Sequence, residues 1–123
     1  AYTNSPLVDY TRISPNRSVN RNHTIDTVTI HCVVDSARRD FRDYFCKEFS
    51  LASANYGIGY DGRVGLYVEE KDRSWCTSSS SNDNRAITIE VASDTYHPYA
   101  VTDAAYNKLI DLLVDICKRN DIS

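Results

Sequence analysis

Apolar and polar positions divide the chain into a polar leading segment followed by a series of short ordered elements. Residues 1–23 carry Pro6, Pro15 and many Asn, Ser and Arg, and read as an extended arm with turns. The run from Ile25 to Val34 alternates at first and then becomes continuously apolar, the pattern of an interior strand. Asp35 or Ser36 is placed to cap a helix in which Phe41, Phe45 and Phe49, four apart, share one face. Two strand-like runs, 55–60 and 63–68, flank Asp61-Gly62, a dipeptide that predicts a tight hairpin with positive φ at both central positions. Thr77 to Asn84, rich in Ser and Asn, reads as a loop; Ala86 to Val91 reads as a short apolar strand and Ser93 to Val101 as a second loop. Thr102 then caps the strongest helix, where Tyr106, Leu109, Ile110, Leu113, Ile116 and Cys117 recur at spacings of three and four. Asp103 near its start and Lys118 and Arg119 near its end suit the helix dipole, and Asn120 is the C-cap.

The order strand, helix, hairpin, strand, helix predicts one α/β domain over residues 1–123, with 1–23 as an arm and 24–119 as the core. The expected architecture is a mixed central β-sheet flanked by helices. A terminal helix in such a domain usually leads into another strand, so the ending at Ser123 predicts a fold without its final strand.

Composition narrows the function classes. Fourteen basic residues against 17 acidic ones, a formal charge of -3, supply no positive face for a nucleic-acid partner. No apolar run approaches the length of a membrane span, and the leading residues AYTNSPLVDYTR lack the apolar core of a signal peptide. The expectation is a protein made in the cytoplasm without a visible export signal. Cys32, Cys46, Cys76 and Cys117 are widely spread with no CxxC pair; the even count permits two disulfides, but the pattern favours reduced thiols acting as small apolar residues. Nine tyrosines suit either a binding groove or the surface of a small domain.

A few residues stand out chemically, each with a structural reading beside the functional one. His31 lies near the C-terminal end of its strand, where α/β folds place ligands, yet a lone His in an apolar strand is commonly a hydrogen-bonded core residue. Glu90 lies among Ile87, Ile89 and Val91; alternation puts it on the face of Thr88 and Ala92, as a functional carboxylate or on a solvated face. Tyr56 opens the hairpin, as a packing residue or as a hydrogen-bond donor to an oxyanion. Trp75 and Cys76 precede the Ser-rich loop, where an indole suits a ligand-facing wall or a plug at the sheet's end. His23 and His97 fall in loops, with His97 a reserve metal ligand beside Tyr96 and Tyr99.

In order, Thr29-Ile30-His31-Cys32, Ser53-Ala54-Asn55-Tyr56, Tyr60-Asp61-Gly62-Arg63-Val64, Glu69 through Trp75, and Asn84-Arg85-Ala86-Ile87-Thr88-Ile89-Glu90 resemble the type 2 N-acetylmuramoyl-L-alanine amidases. That family includes phage endolysins and bacterial autolysins and is related to the peptidoglycan recognition proteins. The resemblance runs from about residue 24 to residue 119 and is weakest in Ser36–Phe49. It implies bacterial peptidoglycan as partner, action at the cell wall and a zinc cofactor. It further implies His31 as a zinc ligand, Glu90 as general base or water-orienting residue and Tyr56 as transition-state donor. Trp75, Cys76, Asn84 and Arg85 would contact substrate; Cys76 stands where many members have His. The family's other two zinc ligands, a His and then a Cys or Asp, follow the last helix, and no residue here matches them. The expectation is therefore an incomplete site that retains zinc weakly, with His97, Cys32 or Cys76 the ligands to consider if zinc stays. It also includes a sheet edge open to dimerisation, and a peptidoglycan-binding module without catalysis as the alternative function.

Overall fold

The computed structural model describes residues 3–34, 53–77, 79–93 and 101–122; for residues 32–34 and 93 it describes the backbone alone. The helix expected from Ser36 to Phe49 and the loop holding Tyr96, His97 and Tyr99 lie outside those residues, as does Cys46. In chain order the elements are β1 (Tyr10–Thr11), β2 (Arg17–Ser18), β3 (Thr27–Val34), β4 (Tyr56–Ile58), β5 (Val64–Leu66), β6 (Arg73–Ser74), α1 (Ser80–Arg85), β7 (Ala86–Ser93) and α2 (Asp103–Arg119).

Five strands form a mixed sheet in the order β1-β5-β4-β7-β3, and β2 and β6 pair separately. The β4–β5 pair is antiparallel, while β1–β5, β4–β7 and β3–β7 are parallel. The mixed α/β architecture agrees with the sequence reading, but several elements differ from it. β3 ends the strand order among the described residues and Ile30 stays 41% exposed, so its apolar run does not mark an interior position. Strand β7 lies inside the sheet between β4 and β3 and is buried on both faces: Ile87, Ile89 and Val91 on one, Thr88, Glu90 and Ala92 on the other.

The leading segment is more than an extended arm. Its β1 pairs with the outer edge of β5 and β2 with β6. Tyr10 lies so close over Gly65 that a Cβ there would meet its ring within 2.7 Å, so a side chain at 65 would displace Tyr10. Arg21 is buried, donating from Nε to the Glu70 carbonyl and from one guanidinium nitrogen to the carbonyls of Asp83, Asn84 and Ala86. These are carbonyls at and beyond the end of α1, which a cation satisfies well.

The hairpin is longer than a two-residue turn. Gly59 N–H donates to the Arg63 carbonyl and Gly62 N–H to the Gly59 carbonyl. Gly62 has φ +82°, whereas Asp61 is not in the left-handed region; its carboxylate instead accepts from the Arg63 N–H. The expected Ser/Asn loop contains α1. Ser79 caps it by accepting from the Asn82 N–H, a competence of Ser that a loop-composition reading overlooks.

Helix α2 follows the prediction closely in extent. Thr102 caps it by accepting from the Ala105 N–H, and Asn120 ends it. Its buried face, however, centres on Ala105, Leu112 and Ile116, while Tyr106 and Ile110 are exposed. That face packs on Tyr56, Ile58, Val64, Leu66, Ile87, Ile89 and Val91 to form the main core.

A buried polar hub joins arm, sheet and helix. The fully buried Glu70 carboxylate accepts from the Tyr56 hydroxyl, from both terminal nitrogens of Arg119 and from Asn120 Nδ2. Arg119→Met would strand that carboxylate, at a cost of about 3–5 kcal/mol. Urea unfolding should show a lower midpoint at unchanged slope; an unchanged midpoint would remove the hub from the fold's supports.

Candidate functional site

The parallel register of β3 and β7 sets His31 directly beside Glu90. Cβ directions alternate along a strand, so Glu90 leaves β7 on the face opposite Ile89, away from α2. His31 Nδ1 stands 3.8 Å from Glu90 Oε1, and the His31 side chain keeps 43% of its exposure while Glu90 keeps 11%. Half of the pair faces solvent and half is held in the sheet.

Cys76 arrives from a third direction, the segment after β6. Its Sγ lies 3.4 Å from Glu90 Oε1, donating to it, and 4.0 Å from His31 Nδ1. The buried Asp83 carboxylate holds this segment: it accepts from the Cys76 N–H at 3.2 Å, from the Thr77 N–H and from the Thr77 hydroxyl. Beneath the pair, Thr88 bonds to Ser74 and Asn55, so the polar floor is tied to the hairpin entry.

Burial lifts the Glu90 carboxyl above its ordinary range, with the Cys76 thiol and His31 acting in the opposite direction. Burial also pushes the Cys76 thiol well up, and the neighbouring Glu90 carboxylate adds to the effect. Among the described residues Glu90 Oε2 is buried without a hydrogen-bond partner. The donor atoms of His31, Cys76 and Glu90 all lie within 4.8 Å of one another. Nitrogen, sulfur and oxygen donors at such spacing form a ligand set of zinc type, and the unpartnered oxygen favours a cation. Two further donor atoms, from Cys76 and Glu90, flank His31.

The other candidates fall elsewhere. Tyr56 pairs in register with Ile89, so it points to the helix face, opposite Glu90. It is fully buried; its hydroxyl donates to Glu70 and accepts from the Ser5 N–H, and burial raises its pKa far above the ordinary phenol range. In this structure its hydroxyl is engaged on the helix face, away from the His31–Glu90 pair. Trp75 is half-buried, its indole N–H donating to Ser18 Oγ at 3.1 Å. Asn84 and Arg85 precede β7; Arg85 makes a bidentate pair with Asp26, and Asn84 accepts from the Asn22 N–H. Arg85 is five residues before Glu90, about 16 Å along a strand at roughly 3.3 Å per residue, so neither is brought to the His31–Glu90 pair. His23 is exposed and bonded locally to the Thr24 carbonyl.

Sequence reading missed Asp83 and the closeness of Cys76 to Glu90. The departure from the family pattern at Cys76 was the available signal; for Asp83 it was the Ser79-to-Asp83 spacing of a capped turn. On the Glu90 face Ala54, Tyr67 and Ala92 form a second cluster with Tyr10, Tyr60 and Cys76 beside it. Tyr10 and Tyr67 share a hydroxyl–hydroxyl bond, and their rings meet edge to face at 6.0 Å. This small aromatic cluster adjoins the cysteine.

A hydroxyl bound on the far face predicts that Tyr56→Phe loses about 2 kcal/mol of stability and keeps turnover within a few-fold. A collapse of turnover at unchanged thermal stability would return Tyr56 to the chemistry.

The family described as N-acetylmuramoyl-L-alanine amidase matches residues 21–123. A comparison with curated proteins finds no match. Among solved structures, the endolysin amidase LysCS from Clostridium intestinale is 14% identical over 99% of this chain and 80% of its own, with a TM-score of 0.76. AmpD is 18% identical over 95% and 77%, with a TM-score of 0.67. Drosophila peptidoglycan recognition protein SA is 21% identical over 85% and 65%, with a TM-score of 0.65. At these identities the likeness is one of fold.

Proposed function

The chain belongs to the N-acetylmuramoyl-L-alanine amidase family, and from that premise we propose that it acts at the bacterial cell wall, hydrolysing the amide between N-acetylmuramic acid and L-alanine in peptidoglycan. Family membership supports peptidoglycan hydrolysis or binding at the coarser level. The observation that carries the finer reading is the His31–Glu90 pair, 3.8 Å apart, with an exposed imidazole and a buried carboxylate.

Roles follow from these environments. His31 would hold zinc, and the ion, when bound, would supply a Lewis acid for the carbonyl and lower the pKa of a water. Glu90 moves the proton: burial raises its carboxyl, bringing its affinity for protons nearer to neutral working pH, as an acid–base group requires. The donated thiol hydrogen bond from Cys76 orients the carboxylate. Trp75, tethered through Ser18, offers an apolar wall beside Cys76 for the stem peptide. No helix among the described residues is long and apolar enough to cross a membrane.

The test incubates the zinc-supplemented protein with purified peptidoglycan and follows newly freed L-alanine amino groups and, separately, reducing sugar ends. Amine release without reducing ends is the expected result. Glu90→Gln should lower it by about a hundredfold or more while the protein still sediments with the sacculi. Sedimentation by the parent protein without any amine release would replace hydrolysis with binding; near-normal release by Glu90→Gln would reduce Glu90 to a structural carboxylate.

A further inference from the structure

The Glu90 carboxylate is 8% exposed yet thinly held. Its Oε1 accepts from the Cys76 thiol at 3.4 Å, and its Oε2 has no hydrogen-bond partner among the described residues. The last torsion of a Glu side chain is broad, so the plane of this carboxylate depends on where the thiol stands. Cys76 lies between β6 and α1, outside any strand, so no sheet register fixes it.

Asp83 fixes it instead. Its side chain, 3% exposed, leaves the first turn of α1 and folds back past the Ser79 cap to the residues ahead of the helix. Oδ2 accepts from the Cys76 N–H at 3.2 Å and from the Thr77 N–H at 3.4 Å, and Oδ1 accepts from the Thr77 hydroxyl at 2.8 Å. Donors on two consecutive residues thus meet one buried carboxylate, and bonds to a charged acceptor are the stronger kind. A helix as short as α1 does not persist alone, and this one is held at both ends. Ser79 caps it, and Arg21 Nη1 binds the carbonyls of Asp83 and Asn84. Beside Asp83, Asn82 Nδ2 donates to Thr29 Oγ1 of β3 at 3.2 Å, on the strand that carries His31. Helix α1 therefore brackets the strand of the imidazole and the segment of the thiol, and it leads directly into the strand of Glu90.

We propose that Asp83 is a positioning residue for the hydrolysis: it holds the Cys76 backbone so that the thiol stays on Glu90 Oε1 and the carboxylate keeps one orientation beside His31. The proposal rests on the reading of Glu90 as the group that moves the proton. The bonds of the Asp83 carboxylate go to residues 76 and 77, so its effect passes through Cys76.

The test uses two readouts on the full chain. The first is alkylation of Cys76 by iodoacetamide, followed by mass on the peptide that carries it, and it needs no turnover. Asp83→Ala should raise that rate by about tenfold or more, because loss of the clamp frees the segment. The second is peptidoglycan hydrolysis by the zinc-supplemented protein. Asp83→Ala should lower kcat by about tenfold or more and leave KM within about threefold. Asp83→Asn keeps an oxygen for the two N–H groups and an N–H for the Thr77 hydroxyl, and should restore both readouts. Asp83→Ala added to Cys76→Ala should cost little beyond Cys76→Ala alone, since both changes break one linkage. Thr77→Val removes the hydroxyl and leaves the N–H bonds; it should raise the alkylation rate by about threefold, and it decides the matter if Asp83→Ala does not fold. Unchanged alkylation in these variants, a loss carried by KM alone, or full additivity with Cys76→Ala overturns the proposal. Failure of the amidase reading looks different: the parent protein leaves peptidoglycan uncut while the alkylation rates still follow Asp83.

Discussion

The parallel pairing of β3 with β7 is the constraint on which the candidate site depends. Eight consecutive residues of each strand are in register, from Thr27 beside Ala86 to Val34 beside Ser93. A slip of one residue would turn one partner to the opposite face. The register is pinned from both sides of β7. Ile87, Ile89 and Val91 fill the core under α2, and Thr88 is held on the other face by Asn55 and Ser74. At the entrance to the two strands Arg85 pairs with Asp26. A carboxylate can then stand in a buried strand because its neighbours are fixed before it is placed.

The remainder of the fold supplies polar anchors where backbone or charge would otherwise be stranded. Glu70 gathers the Tyr56 hydroxyl, Arg119 and Asn120, joining hairpin, helix end and, through Ser5 and Thr3, the leading arm. Arg21 closes α1 by bonding its last carbonyls, and Asp83 within α1 holds the segment that carries Cys76. Arg21 and Asp83 thus link the arm to the site: one supports the short helix, and the other uses that helix to position a thiol. Burial costs for these charges are offset because nearly every donor and acceptor finds a partner, which is the condition for a polar network to stabilise.

Much of this was legible in the sequence, for physical reasons specific to each element. The capped, amphipathic segment from Thr102 to Asn120 is encoded locally and needed no tertiary information. The strands at Thr27 and Ala86 showed in their β-branched runs, and alternation put Glu90 on the face of Thr88 and Ala92. The place of β3 at the end of the strand order among the described residues, the rotated face of α2 and the true length of the Gly59–Arg63 turn depend on partners distant in sequence, so periodicity alone misassigned them. Tyr56 misled because a phenol beside a hairpin carries no local mark of which face its strand turns inward. Cys76 was visible as a departure, but its distance from Glu90 is a product of the Asp83 clamp, which no pattern within the Ser/Asn run displays.

The central claim is that strand register sets the His31 imidazole beside the Glu90 carboxylate, so that His31 can hold a zinc ion while Glu90 moves a proton. Crystals grown with zinc, measured on both sides of the zinc absorption edge, address it most directly. The account predicts a single strong anomalous peak at bonding distance from a His31 ring nitrogen, with the Glu90 carboxylate beside the ion and the Cys76 thiol still donating to that carboxylate. A peak away from His31, or an ion bonded to both Cys76 Sγ and Glu90 Oε1, would contradict it.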